Sequence, residues 1–102
     1  MGAPEAKIEK YLLDECKKQD YMCLKFVSPS LAGVPDRVII AKDKRTEKQL
    51  VCFVETKAPG EKPRKLQEAV IADMKEHGAI VFVADTQKLV DRIIAWIREA
   101  LK

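Results

Sequence analysis

Apolar residues recur at helical spacing at the start of the chain. Ile8, Tyr11, Leu12 and Cys16 form one stripe, and Pro4 suits a first-turn position. Residues 4–19 are therefore predicted to be helical. Met22-Cys23-Leu24-Lys25-Phe26-Val27 reads as a strand, and the turn residues of 28–33 as a loop. Residues 36–41 and 50–57 read as an antiparallel pair joined by the polar stretch 42–49. After a loop at 58–62, Pro63 is expected to open a helix with Leu66, Val70 and Met74 on one side and Gly78 as its C-cap. The continuous apolar run Ala79–Ala84 fits a strand buried on both faces. Thr86 can cap a last helix whose apolar face is Leu89, Ile93, Trp96, Ile97 and Ala100. The order is helix, three strands, helix, strand, helix. A mixed sheet flanked by helices, in the α/β class, buries all these faces most simply.

Size and composition narrow the function. The chain has 102 residues, 47% hydrophobic and 34% charged, which fits one folded domain over residues 1–102 with a small core. A single histidine, His77, removes multi-histidine metal sites, and next to Gly78 at a helix end it reads as structural. No G-x-S-x-G elbow, P-loop or G-x-G-x-x-G fingerprint occurs. The three cysteines Cys16, Cys23 and Cys52 form no C-x-x-C pair, which points to a reducing, cytoplasmic setting. No apolar run approaches a membrane span, and Met1-Gly2-Ala3-Pro4-Glu5 carries neither an export signal nor a myristoylation motif. The net charge of +3 permits a nucleic-acid partner without demanding one. The chemistry must then come from carboxylates and lysines.

Glu55-Thr56-Lys57 closes the third strand. Period-two alternation puts Glu55 and Lys57 on one face, behind Val51 and Phe53. Pairing Asp36 with Glu55 places the turn of the hairpin inside the polar 42–49 stretch, so the two carboxylates come side by side. Like charges so close repel unless a cation lies between them, and a hard divalent ion such as Mg²⁺ suits the pair, with the Thr56 carbonyl as a further oxygen. Lys57 would stand close to a metal-held water, placed to orient or deprotonate it for attack on a phosphodiester. On the first helix, Glu5 and Glu9 both fall on the apolar side, where an acid is costly unless paired or metal-bound. Gln67 falls at the edge of the stripe of its helix.

Val34-Pro35-Asp36 followed by Val54-Glu55-Thr56-Lys57 resembles the PD-(D/E)xK nuclease signature. The longer ordered set adds Glu5 in an opening helix, Gly33 before the proline, Gln67 ten residues beyond the lysine and the tail Gly78–Val83. It resembles the VRR-NUC family, which includes phage and bacterial stand-alone nucleases and the C-terminal part of a eukaryotic DNA-repair nuclease. The match runs over roughly residues 4–86. The resemblance implies a restriction-endonuclease-like αβββαβ core, here with an extra C-terminal helix, and DNA cleavage dependent on Mg²⁺ or Mn²⁺. It implies Asp36, Glu55 and the Thr56 carbonyl as metal ligands, Lys57 as catalytic, and Glu5 and Gln67 in support. The family pattern favours Glu5 over Glu9. Stand-alone members resemble Holliday-junction resolvases, which act as homodimers.

The expected activity is a structure-selective DNA endonuclease, acting as a homodimer on four-way junctions. The alternatives are a non-selective DNase or nickase, and a DNA-binding module with a degenerate site. Lys62, Arg64 and Lys65, at the start of the Gln67 helix, are candidate phosphate contacts, as is Arg37. Lys25, Lys42, Lys44 and Arg45 are weaker ones. Trp96 reads as core or interface. The last helix is the expected dimer face, because Ile94 and Leu101 widen its apolar surface.

Overall fold

The computed structural model describes residues 4–102; Met1-Gly2-Ala3, read above for export and lipidation signals, lies outside them. Seven elements follow in order: α1 (Pro4–Lys18), β1 (Met22–Lys25), β2 (Arg37–Lys42), β3 (Gln49–Thr56), α2 (Lys65–Glu76), β4 (Val81–Ala84) and α3 (Gln87–Ala100). The four strands form one sheet in the order β1-β2-β3-β4. The first three are antiparallel neighbours, and β4 joins β3 in parallel after the α2 crossover. The expected αβββαβ core with an added C-terminal helix is the fold observed.

One face of the sheet carries the core. Ile39, Ala41, Cys52, Val54 and Ala84 point to it and pack with Ile8, Leu12 and Cys16 of α1 and with α3. The buried side of α3 is Val90, Ile93, Ile94 and Ile97, continued by Leu101, rather than a stripe running through Trp96 and Ala100. Ile94 and Leu101 therefore lie inside the chain's own core, and the expectation that they widen an open dimer face is overturned. Trp96 is instead 42% exposed and meets Phe82 edge-on at 5.2 Å between ring centroids.

β4 is an edge strand, yet α3 and α2 flank it, so it is largely screened on both faces as the apolar run suggested. α2 starts at Lys65, two residues after Pro63. Its buried residues are Val70 and Ile71, while Leu66 is 57% exposed. The helix is rolled relative to the Leu66-Val70-Met74 stripe, and this roll turns Gln67 towards the sheet.

Loop conformation holds the two ends of the hairpin. At the 42–49 end, the Asp43 carboxylate accepts from the backbone of Arg45 and Thr46, which keeps its pKa below the usual range. Thr46 Oγ1 donates to the Leu101 carbonyl and ties the turn to α3. At the other end, Gly33 has φ +91 and lies against α2. A Cβ there would come within 3.2 Å of both Leu66 and Val70, so glycine serves both the backbone and the packing.

Candidate active site

The β2–β3 ladder pairs Arg37 with Val54. One step further, Asp36 stands opposite Glu55, and its backbone N–H donates to Glu55 Oε1 at 3.1 Å. Pro35 is fully buried just before it, which anchors the chain as it enters β2. The next row of the sheet thus brings two carboxylates together at the end of β3, as the hairpin register required.

Glu55 is almost wholly buried and is gripped from several sides. Lys57 Nζ lies 3.2 Å from its Oε2, and Gln67 Nε2 donates to the same oxygen at 2.8 Å. Lys57 is itself buried, and its backbone N–H donates to the Ala84 carbonyl, so β4 fixes the lysine's stem. Glu55 is the buried end of a face that starts exposed at Val51. Burial, and then the charge of Asp36, push its pKa up, while Lys57 and the Asp36 N–H pull it down. Asp36 Oδ2 accepts only a long bond, 3.3 Å, from Thr56 Oγ1, and has no cationic partner within 4 Å among the described residues.

That imbalance bears on a metal. Of the two adjacent carboxylates only Glu55 is paired with an ammonium, and the negative charge of Asp36 is left without a counter-ion. Among the described residues no three Asp, Glu, His or Cys side chains converge as a ready-made cage. Two carboxylates with a backbone oxygen are the donor set of an ion that keeps most of its waters, so the residues fit Mg²⁺ or Mn²⁺. Asp36 is the member of the pair that reaches solvent. Glu5, Ala6, Glu9, Lys25 and Asp36 line a shallow depression of about 240 Å³ between the α1 N-terminus and the strand ends.

Comparison with known proteins bears on the chemistry. The family model of the VRR-NUC domain matches residues 5–88. The chain belongs to the VRR-NUC family. It is 41% identical over 85 residues to "Putative nuclease p44" of Acyrthosiphon pisum secondary endosymbiont phage 1, covering 83% of this chain and 86% of that protein. It also superposes on a solved VRR-NUC domain with a TM-score of 0.78 at 25% identity, over 92% of this chain and 97% of the other. Membership of this family makes the chain a nuclease.

Within this VRR-NUC fold, the residues singled out from sequence separate into two groups. Asp36, Glu55, Thr56, Lys57 and Gln67 are joined by direct bonds, and Glu5 shares the depression with Asp36. Glu9 lines it too, but its carboxylate is held by Arg37 Nε at 2.9 Å, which leaves Glu5 as the uncommitted acid. The same pair removes Arg37 from the set of free phosphate contacts: it is mostly buried, and it ties β2 to α1. Lys62, Arg64 and Lys65 are exposed, with no carboxylate within 4 Å among the described residues. Lys42, Lys44 and Arg45 are each paired with an acid at the far end of the hairpin, away from the site.

Two contributions were not read from the sequence. The Thr56 hydroxyl reaches Asp36, although Thr56 points to the opposite face from Glu55; strand alternation alone gives no sign of this. Asp85 Oδ2 accepts from the Gly60 N–H and pins the 57–64 loop over the end of the sheet. Asp85 follows the β4 apolar run directly, and an acid at that strand end is the signal that was available.

No helix among the described residues is long and apolar enough to cross a membrane.

Proposed function

We propose that this VRR-NUC chain is a metal-dependent, structure-selective DNA endonuclease that works as a homodimer on four-way junctions. The observation that carries the nuclease site is the Asp36–Glu55 pair, fixed by Lys57 and Gln67 and left one positive charge short. Asp36 and Glu55 would hold Mg²⁺ or Mn²⁺, with the Thr56 carbonyl and Glu5 as further oxygens, and the ion would neutralise charge building on the scissile phosphate.

The chain's own groups do the rest. Lys57, buried and fixed by Glu55 and β4, orients the attacking water through its ammonium protons and stabilises the charge that builds on the phosphate, the water's proton passing to solvent. Gln67 keeps Glu55 in one rotamer, so the carboxylate faces the ion without reorganising. Lys62, Arg64 and Lys65 project from the α2 end of the site and hold the flanking phosphates. Two such sites on a two-fold dimer would cut opposing strands of a junction.

The test is cleavage of end-labelled synthetic DNAs with Mg²⁺ or Mn²⁺: a four-way junction, a flap, a plain duplex and a single strand. Paired, symmetric cuts in the junction, lost in Lys57→Ala and Asp36→Asn, are expected. Equal cutting of every DNA would keep the site and remove the junction preference. No cutting by folded, metal-loaded protein would turn the reading to a binding module.

A further inference from the structure

Residues 26–35 join β1 to β2 and lead directly into Asp36. In a chain that is 34% charged, this stretch carries no charge at all. The root of the loop is fixed. The Phe26 N–H donates to the Asp36 carbonyl at 2.8 Å, and the Phe26 ring packs on Phe53 with 5.2 Å between centroids. Pro35 is fully buried, and Gly33 lies against Leu66 and Val70 of α2. The tip is not covered. Val27 is 69% and Leu31 48% exposed, and Leu66, against which Gly33 packs, is as open as they are. These apolar side chains stand along one rim of the candidate site, and cations bracket them. Lys25 lines the depression beside Asp36, and Lys62, Arg64 and Lys65 stand at the start of α2. None of the four has a carboxylate within 4 Å among the described residues.

We propose that this loop is an apolar wedge that enters the unstacked step at a branch in DNA. The inference deepens the nuclease reading above and rests on it: it names the part of the chain that tells a branch from a plain duplex. Apolar surface left in water is costly, and the faces of unstacked bases can cover it. Apolar side chains inserted between base steps are a general means of kinking DNA, and insertion costs the stacking of that step. At a branch the stacking is already interrupted, so the same wedge enters there at lower cost than in a duplex. Phosphates on either side need cations, which Lys25 and the α2 group supply while the uncharged tip meets the bases. The fixed root suits the task. The bond from Phe26 to Asp36 ties the wedge to a candidate metal ligand, so seating Leu31 in the branch sets which phosphodiester lies at Asp36 and Glu55. A second copy of the chain fits the rim less well, because it would bring the same unpaired cations against these.

The experiment uses the full chain carrying Lys57→Met, with Mg²⁺, so that the strands stay whole. 2-Aminopurine, a base whose fluorescence rises on unstacking, is placed beside the branch of a four-way junction or inside a plain duplex. Binding is expected to raise the fluorescence at the branch and not in the duplex. Leu31→Ala combined with Val27→Ala, both at exposed positions, is expected to keep the parent's circular dichroism. It is expected to remove most of the fluorescence rise and to weaken junction binding about tenfold or more, with duplex binding changed less than about twofold. Leu31→Met, which keeps the apolar bulk, is expected to retain both. A fluorescence rise that persists in the double variant, or a loss of binding equal for junction and duplex, would overturn the proposal. A double variant whose only change is weaker self-association in sedimentation would overturn it too, since the tip would then meet protein. A junction bound by the parent without a fluorescence rise would remove the wedge and leave the nuclease reading standing. Cleavage by the chain with its native Lys57 reports on that reading separately, and absence of both binding and cleavage would overturn both.

Discussion

Gln67 bridges α2 and the sheet: its Nε2 donates to Glu55 Oε2 at 2.8 Å while its Oε1 accepts the Arg64 N–H at 2.9 Å. One side chain thereby caps the helix and fixes the carboxylate. The amide orientation follows from these two partners, since Glu55 offers only acceptors and Arg64 N–H only a donor. Gln67 is a positioning residue: it acts on the site through Glu55.

Gln67→Ala should therefore act through metal affinity. Loss of an outer partner of a ligating carboxylate typically costs 10–100-fold in affinity or activity. The Mg²⁺ concentration for half-maximal cleavage should rise by about that factor, while the rate at saturating Mg²⁺ falls less. Gln67→Glu should be worse, because it brings a third negative charge against Glu55. A metal titration of cleavage for both variants checks this. Equal losses at every Mg²⁺ concentration would mean that Gln67 does not act through the metal.

Asp36→Asn removes the charge that has no counter-ion, so it should stabilise the metal-free protein by about 1 kcal/mol while abolishing cleavage. The Thr56 hydroxyl can still donate to the new amide oxygen. Mg²⁺ should raise the wild-type unfolding temperature and leave the variant's unchanged. At tenfold excess over its dissociation constant the ion contributes about 1.4 kcal/mol, or several degrees in a domain of this size. Thermal unfolding with EDTA and with Mg²⁺ tests both halves.

Burial and Asp36 hold the Glu55 pKa above its ordinary value. The folded protein therefore keeps the Glu55 proton to higher pH than the unfolded chain does. In metal-free protein, stability from this group is fully present below the unfolded glutamate pKa and is lost as pH rises towards the raised one. Subtracting the Glu55→Gln profile from that of the wild type removes the contributions of other acids such as Asp43. The wild type should lose ground to the variant as pH rises above the ordinary glutamate range in EDTA. Mg²⁺ binding should show the opposite trend and strengthen with pH, because it requires the ionised carboxylate.

Gly33→Ala should both strain the backbone at φ +91 and press on Leu66 and Val70. Overpacking of this kind costs about 1–3 kcal/mol. Because Leu66 adjoins Gln67, the displaced helix should also weaken cleavage. Urea unfolding and cleavage rates measured together check that both fall. A destabilised variant with unchanged cleavage would separate the loop packing from the site.

The sequence carried most of the element order and the juxtaposition of the candidate site's residues because both rest on short-range rules. Strand alternation placed Glu55 and Lys57 on one face, and hairpin symmetry placed Asp36 beside Glu55. What escaped was set by packing between elements. The rolls of α2 and α3 about their axes depend on what each helix meets. The Leu66-Val70-Met74 stripe and the Trp96–Ala100 face were therefore each turned from the observed core. The Glu9–Arg37 pair joins residues on different elements, and no local pattern distinguishes Arg37 as a tie to α1 from Arg37 as a phosphate contact. The exposure of Met22, Leu24, Ile40 and Val51 on the sheet face opposite the core escaped for the same reason. Alternating apolar positions in β1–β3 look like core until the narrow footprint of α2 is known.

The most direct test of the account is Lys57→Met, which keeps most of the buried stem and removes only the ammonium. Cleavage of junction DNA in Mg²⁺ should fall by about 10²–10³-fold, the range by which one preorganised charge-stabilising donor contributes. The Mg²⁺-induced rise in unfolding temperature should persist, since Asp36 and Glu55 remain. Cleavage at near the wild-type rate by folded Lys57→Met protein would contradict the assignment of this site.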